Sequence, residues 1–287
     1  MDLKFIIDEI QKADPEVYEK LSPRREILKS FGAKVAVAAL PLALGSMFKK
    51  AYGKVTDVVL DTLNFALELE YIEFNFYHQY NLVSGLIAGG DAAAFATIEA
   101  HELAHVNFLR KAIQASGGTV YTPTHYSGGD PVTGSPISPA SYDFTAGGTF
   151  ADIASNYATF LAVSQTFEDT GVRAYKGQAA NLQSNLDVLT DALQIHSVEA
   201  RHAAHVRNIR RLAGATANKP WITGNTAPAA PAQGSYNGED NTTQGGVVIT
   251  TLSGVSGNVS TNAATEAFDE PLTKDQIVTI VTPFIRP

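Results

Sequence analysis

Two short stretches constrain this chain more than any other part of it: Ile98-Glu99-Ala100-His101-Glu102-Leu103-Ala104-His105 and Ile195-His196-Ser197-Val198-Glu199-Ala200-Arg201-His202. Each ends in Glu-x-x-His. On an α-helix a three-residue spacing puts both side chains on one face. The surroundings match as well. Ile98, Glu102, His105, Leu109 and Ala112 advance by the same steps as Ile195, Glu199, His202, Val206 and Ile209. Both series are core stripes with two polar residues set into the middle.

A second matched segment lies upstream of each. Leu63, Leu67, Glu70, Phe74 and Tyr77 correspond to Leu161, Gln165, Glu168, Val172 and Tyr175, again with identical steps. The chain therefore encodes two helix pairs, each offering a lone Glu and a Glu-x-x-His. Six such groups in a helical core need a cationic partner, because unpaired buried charge is costly. The pattern supplies a dinuclear metal centre with Glu70, Glu102, His105, Glu168, Glu199 and His202 as ligands. Glu102 and Glu199 are expected to bridge, and Glu70 and Glu168 to be terminal or chelating. Glu73 lies on a second apolar stripe and competes with Glu70, which shares with Glu168 the seven-residue offset to a tyrosine. Tyr77 and Tyr175 are expected to hydrogen-bond ligands, with His101, His196 and Glu73 as further candidates close to the site.

Composition narrows the chemistry. With no cysteine among 287 residues, thiolate zinc sites, iron–sulfur clusters and disulfides are excluded. A formal charge of -8 argues against nucleic acid or an anionic membrane surface as a partner. Glu-rich, imidazole-poor ligation suits two iron or manganese ions. His101-Glu102-Leu103-Ala104-His105 also fits the zinc-protease pattern H-E-x-x-H. Phe108 and Lys111 stand where its extended form needs Gly and His, and no acid occurs between Glu102 and Asp130. That reading also leaves the second copy unexplained.

Along the chain, residues 1–53 read as a twin-arginine-type export signal or a retained helical arm. Arg24-Arg25 precedes an apolar stretch from Ala33 to Met47, and Ala51-Tyr52-Gly53 offers a small-residue cleavage site. The apolar stretch is too short for a stable membrane span. Residues 54–214 hold four helices, expected near 55–83, 91–116 (with Asp91 as N-cap), 150–181 and 186–214. The Gly/Pro-rich segment 117–149 is a long crossover between two hairpins. Residues 215–287 are expected to wrap the bundle or a partner subunit, with a strand near Val247–Leu252 and a helix or extended segment from Thr273 to Ile285.

With the six ligands in place, the chain resembles the ferritin-like superfamily over about 55–214. Asn64-Phe65-Ala66-Leu67-Glu68-Leu69-Glu70-Tyr71 and Glu266-Ala267-Phe268-Asp269-Glu270-Pro271 resemble the bacterial ferritin-like, desiccation-related family with export signals. The resemblance implies an all-α four-helix bundle with one long crossover and a dinuclear site. It carries no settled activity. The expected function is a dimetal oxidoreductase using O2 or peroxide (ferroxidase, peroxidase or catalase-like) in oxidative or desiccation stress, in the periplasm or envelope, as a monomer or homo-oligomer. Retention of residues 1–53 would instead keep it cytoplasmic. The competing class is a non-enzymatic protective scaffold with a structural metal.

Overall fold

A computed structural model describes residues 56–122, 142–255 and 257–286. The export-signal or arm segment and most of the crossover lie outside the described residues.

Four long helices dominate. The first, α1 (Asp57–Asn81), starts where the Thr56 side chain accepts from Val59 N, with Asp57 in its first turn. Helix α2 (Ala92–Ala115) begins after Asp91, but that carboxylate does not cap it; Asp91 accepts instead from the Tyr157 hydroxyl at 2.7 Å. Asn156 caps α3 (Tyr157–Gln178), and Asn185 caps α4 (Leu186–Leu212). The third helix thus starts later than the expected 150. Residues 144–155 form turns, with the Asp143 carboxylate accepting from Thr145 N, Thr145 Oγ1 and Gly147 N, and the helix begins only where Asn156 caps it. Phe144, Phe150 and Ile153 from this turn-rich approach still reach the core. At its far end α3 tightens into a 3-10 turn over Ala179–Leu182.

Helix α1 packs on α2 and α3 on α4, which is the pairing two hairpins require. The hairpins meet through aromatic side chains. Phe76 of α1 stacks on Phe160 of α3 at 5.3 Å between centroids and meets Phe167 edge-on at 5.0 Å. Phe95 of α2 closes the cluster, 5.0 Å from Phe160. No described helix is long and apolar enough to cross a membrane.

The chain beyond α4 lies on α3. Buried Arg173 donates to the carbonyls of Ser235 (2.5 Å), Asn237 (2.8 Å) and Glu270 (2.6 Å) and pairs with Glu239 at 2.7 Å. Asp169 accepts from Arg207 of α4 and from the Tyr236 hydroxyl. Gly177 makes this contact possible: a Cβ there would fall 1.9 Å from the Leu272 carbonyl oxygen. Only Val247–Val248 of the expected strand is a strand, paired with Thr243–Gln244 (β2 and β1). Residues 249–251 turn into 3-10 instead, since these valines are exposed and no apolar layer extends the ribbon. A second ribbon pairs β3 (Ser253–Gly254) with β4 (Gly257–Asn258). Short α5 (Thr261–Glu266) follows, then α6 (Lys274–Val281), which opens with a Thr273/Gln276 capping box. Ile277 and Val281 of α6, with Phe284 just beyond it, join the main core.

Candidate metal centre

Each helix brings its polar residues to the bundle axis from inside an apolar stripe. Glu70 of α1, Glu102 of α2, Glu168 of α3 and Glu199 of α4 have no exposed surface, and His105 and His202 are 8% and 5% exposed. Charged groups are rarely buried this completely without a partner.

The ring nitrogen Nδ1 of His105 lies 3.1 Å from Glu70 Oε2, 3.0 Å from Glu102 Oε2 and 3.1 Å from Glu199 Oε1. The corresponding nitrogen of His202 lies 2.9 Å from Glu102 Oε1, 3.3 Å from Glu168 Oε2 and 4.0 Å from Glu199 Oε2. One imidazole nitrogen carries one proton or one lone pair and cannot satisfy three carboxylates. Several of these contacts are not aligned as hydrogen bonds. Glu102 Oε1, Glu168 Oε2, both Glu199 oxygens and His202 Nδ1 are buried without a hydrogen-bond partner. Ligands of one ion behave this way, since metal–N/O bonds of about 2.0–2.2 Å meeting near right angles leave ligand atoms about 3 Å apart.

Two groups result, each with its ligand atoms within 4.8 Å of one another: Glu70, Glu102, His105 and Glu199, and Glu102, Glu168, Glu199 and His202. Glu102 and Glu199 belong to both, each turning one oxygen to each histidine. A family model described as a ferritin-like domain matches residues 58–212, and so spans all four helices and both groups. The chain is a ferritin-like protein. Comparison with curated proteins gives no match.

The tyrosines of this ferritin-like core hold the two outer glutamates. Tyr77 donates to Glu168 and also meets Ser164 Oγ at 2.8 Å, while Tyr175 donates to Glu70. Burial and the adjacent carboxylate push both phenols well above their ordinary range, so they remain protonated donors. Ser164 escaped the sequence reading, although its place one turn before Glu168 put it on the same stripe.

Protons are shared unevenly in the metal-free cluster. Burial raises Glu102 to about 7 against the neighbouring His105 and His202, which lower it. Burial and the charge of Glu102 push Glu199 well above the carboxylate range. Glu70 goes the other way: burial raises it, but the charge of His105 and its hydrogen bond prevail. Burial opposes charge on His202, yet the adjacent carboxylates of Glu168 and Glu102 lift it to about 11. His105 is raised too, burial being outweighed by Glu70 and its other carboxylate partners.

Of the remaining candidates, Glu73 is buried beside the cluster but belongs to neither ligand group. Burial and four neighbouring glutamates push its carboxyl well above the ordinary carboxylate range. Gly171 makes room for it: a Cβ there would lie 3.2 Å from Glu73 Oε1 and 3.4 Å from Glu199 Oε2. His101 is exposed, stacks on His202 at 5.2 Å and places Nδ1 3.0 Å from His202 Nε2. It therefore orients a ring of the cluster from outside. His101 and His105 do not share a group, contrary to what a zinc-protease site needs. His196 also lies outside both groups, with Asp269 and Lys176 among the charges acting on it.

Proposed function

We propose that this ferritin-like protein holds two iron or manganese ions and uses them in a reaction with O2 or hydrogen peroxide. The observation that carries the reading is the sharing of Glu102 and Glu199 between two otherwise separate ligand groups. Glu70 and His105 would complete one position, Glu168 and His202 the other. Bound there, such ions would supply electron transfer towards an oxidant and polarise an oxygen ligand.

The chain's own residues prepare that chemistry in three ways. Tyr77 and Tyr175 fix the rotation of Glu168 and Glu70, as partners of metal ligands do elsewhere. The four ionised ligand glutamates would offset the four charges of two divalent ions. The packed core around the cluster keeps bulk water out.

Within this reading the protein works in oxidative or desiccation stress outside the cytoplasm, as a monomer or homo-oligomer. The Arg24-Arg25 segment and the desiccation-related phrases in the sequence support this. A twin-arginine route suits the centre, since it moves folded proteins with metals already loaded.

Elemental analysis of natively purified protein, followed by assays with Fe(II) plus O2 and with H2O2, tests the proposal. About two iron or manganese per chain and turnover of either oxidant is the expected result. Complete burial of four ligand glutamates favours one competing reading, a structural metal in a protective scaffold. Inertness towards both oxidants, with a large fall in melting temperature on metal removal, would establish it instead.

A further inference from the structure

The two halves of the bundle are not filled alike. Around Glu168, four phenylalanines interlock: Phe76, Phe95, Phe160 and Phe167. Their equivalents in the repeat, taken with the offset that relates Glu70 to Glu168 and Glu102 to Glu199, are Ala174, Ala192, Thr62 and Leu69. All four of these smaller residues line one cavity between the helices, and Tyr175, the donor to Glu70, lines it too. Ala66 also lines it, where the other half has Ser164, the second partner of Tyr77. The cavity lies where this half carries these smaller residues, although Phe65 and Phe108 also line it.

Its size and chemistry select the occupant. The room for the centre of a water-sized sphere is ≈ 20 Å³, not far above the roughly 10–15 Å³ that one water needs. The lining surface is almost wholly apolar, so a water there would find few partners. The Thr62 and Tyr175 hydroxyl protons are already given to Val58 O and Glu70, and Gln178 Oε1 accepts from Asn181. A narrow apolar pocket of this kind favours apolar guests over water. Hydrogen peroxide, which needs several hydrogen bonds, is as poorly served as water.

We infer that this cavity is a holding site for O2 beside Glu70, on the path of dioxygen to the metal centre. The inference rests on the dimetal reading and selects O2 over peroxide as the oxidant.

The test has a structural arm and a kinetic arm. Crystals of the metal-free protein are pressurised with krypton, an apolar probe located by its anomalous scattering. Krypton next to Tyr175 is expected in the wild type and not in Ala192→Phe, which restores the missing aromatic ring; Ala66→Leu serves should that variant not fold. In metal-loaded protein, either variant should raise the KM for O2 several-fold at unchanged metal content. Ordered water in the cavity in place of krypton overturns the inference. So does an unchanged KM for O2 in a variant shown to exclude krypton, or no O2 uptake by fully loaded protein. Metal content is counted separately, so a chain that binds no metal refutes the dimetal reading itself and is distinguishable from these results.

Discussion

The Tyr175 hydroxyl on α3 donates to Glu70 on α1, and the mirror contact runs from Tyr77 on α1 to Glu168 on α3. In sequence each tyrosine follows a glutamate of its own helix by seven residues. Two helical turns separate such a pair by about 10 Å along the axis, too far for a hydrogen bond. Antiparallel packing of α1 on α3 crosses the partners, so each half of the repeat holds a ligand of the other. The halves therefore cannot assemble a complete site singly.

That crossing predicts a local loss on Tyr175→Phe. Glu70 would keep its contact with His105 but lose the donor that fixes its second oxygen. Loss of one buried hydrogen bond should destabilise the metal-free protein by about 1–3 kcal/mol, and metal affinity should drop by about 10–100-fold. Thermal melts and competition against a chelator check both. Unchanged affinity would mean that the tyrosine is only a packing residue.

Glu102 and His101 are adjacent in sequence but opposite in role. Glu102→Ala should bring metal content close to zero, since both ligand groups use that carboxylate. His101→Ala should retain metal, because the ring only touches His202 from the exposed side. Metal counted per chain in the two purified variants decides the matter, and the reverse pattern would revive a zinc-protease site.

Metal binding should release protons. Near neutral pH the metal-free protein carries a proton on His202, raised to about 11, and partly on Glu102, raised to about 7. Ligation needs both sites free, so apparent affinity should rise with pH. Stability of the metal-free form should run the opposite way. Between the ordinary glutamate value of 4.5 and about 7, the folded state binds more protons at Glu102 than the unfolded chain does. Stability from that group thus falls as pH rises through this window, and that from His202 is lost towards pH 11. Glu70, lowered, opposes the trend only in the acid range. Melting temperatures across pH, with and without metal, should show the decline in the metal-free form alone.

Two glycines of α3 should respond differently to alanine, although in an open helix either change would gain up to about 1 kcal/mol. At Gly177 the new Cβ collides with the Leu272 backbone, so Gly177→Ala should loosen the chain after α4 and speed its cleavage by protease. At Gly171 the atoms nearest the Cβ belong to the side chains of Glu73 and Glu199 rather than to backbone. Gly171→Ala should therefore fold, with lower metal content. Limited proteolysis and elemental analysis on both variants separate the outcomes.

Much of this protein was legible before any coordinates. The four helices and the six buried ligand candidates follow from a repeated apolar period with Glu and His set into it, because helical spacing alone decides which side chains share a face. The segment from Thr273 to Ile285 was legible only as a helix or an extended stretch, and nothing in it showed that Ile277 and Val281 would enter the main core. Other features needed the tertiary structure. Which oxygen of Glu102 faces which histidine depends on four helices meeting at one point. The exchange of tyrosines between halves depends on the direction in which α1 and α3 pack. The start of α3 was set by the Asn156 cap, and the anchoring of the chain after α4 by Arg173 finding carbonyls far along the sequence. Periodicity records which residues a helix must bury. What each buried group meets is set by the neighbouring helices, through distances that no single stretch of sequence contains.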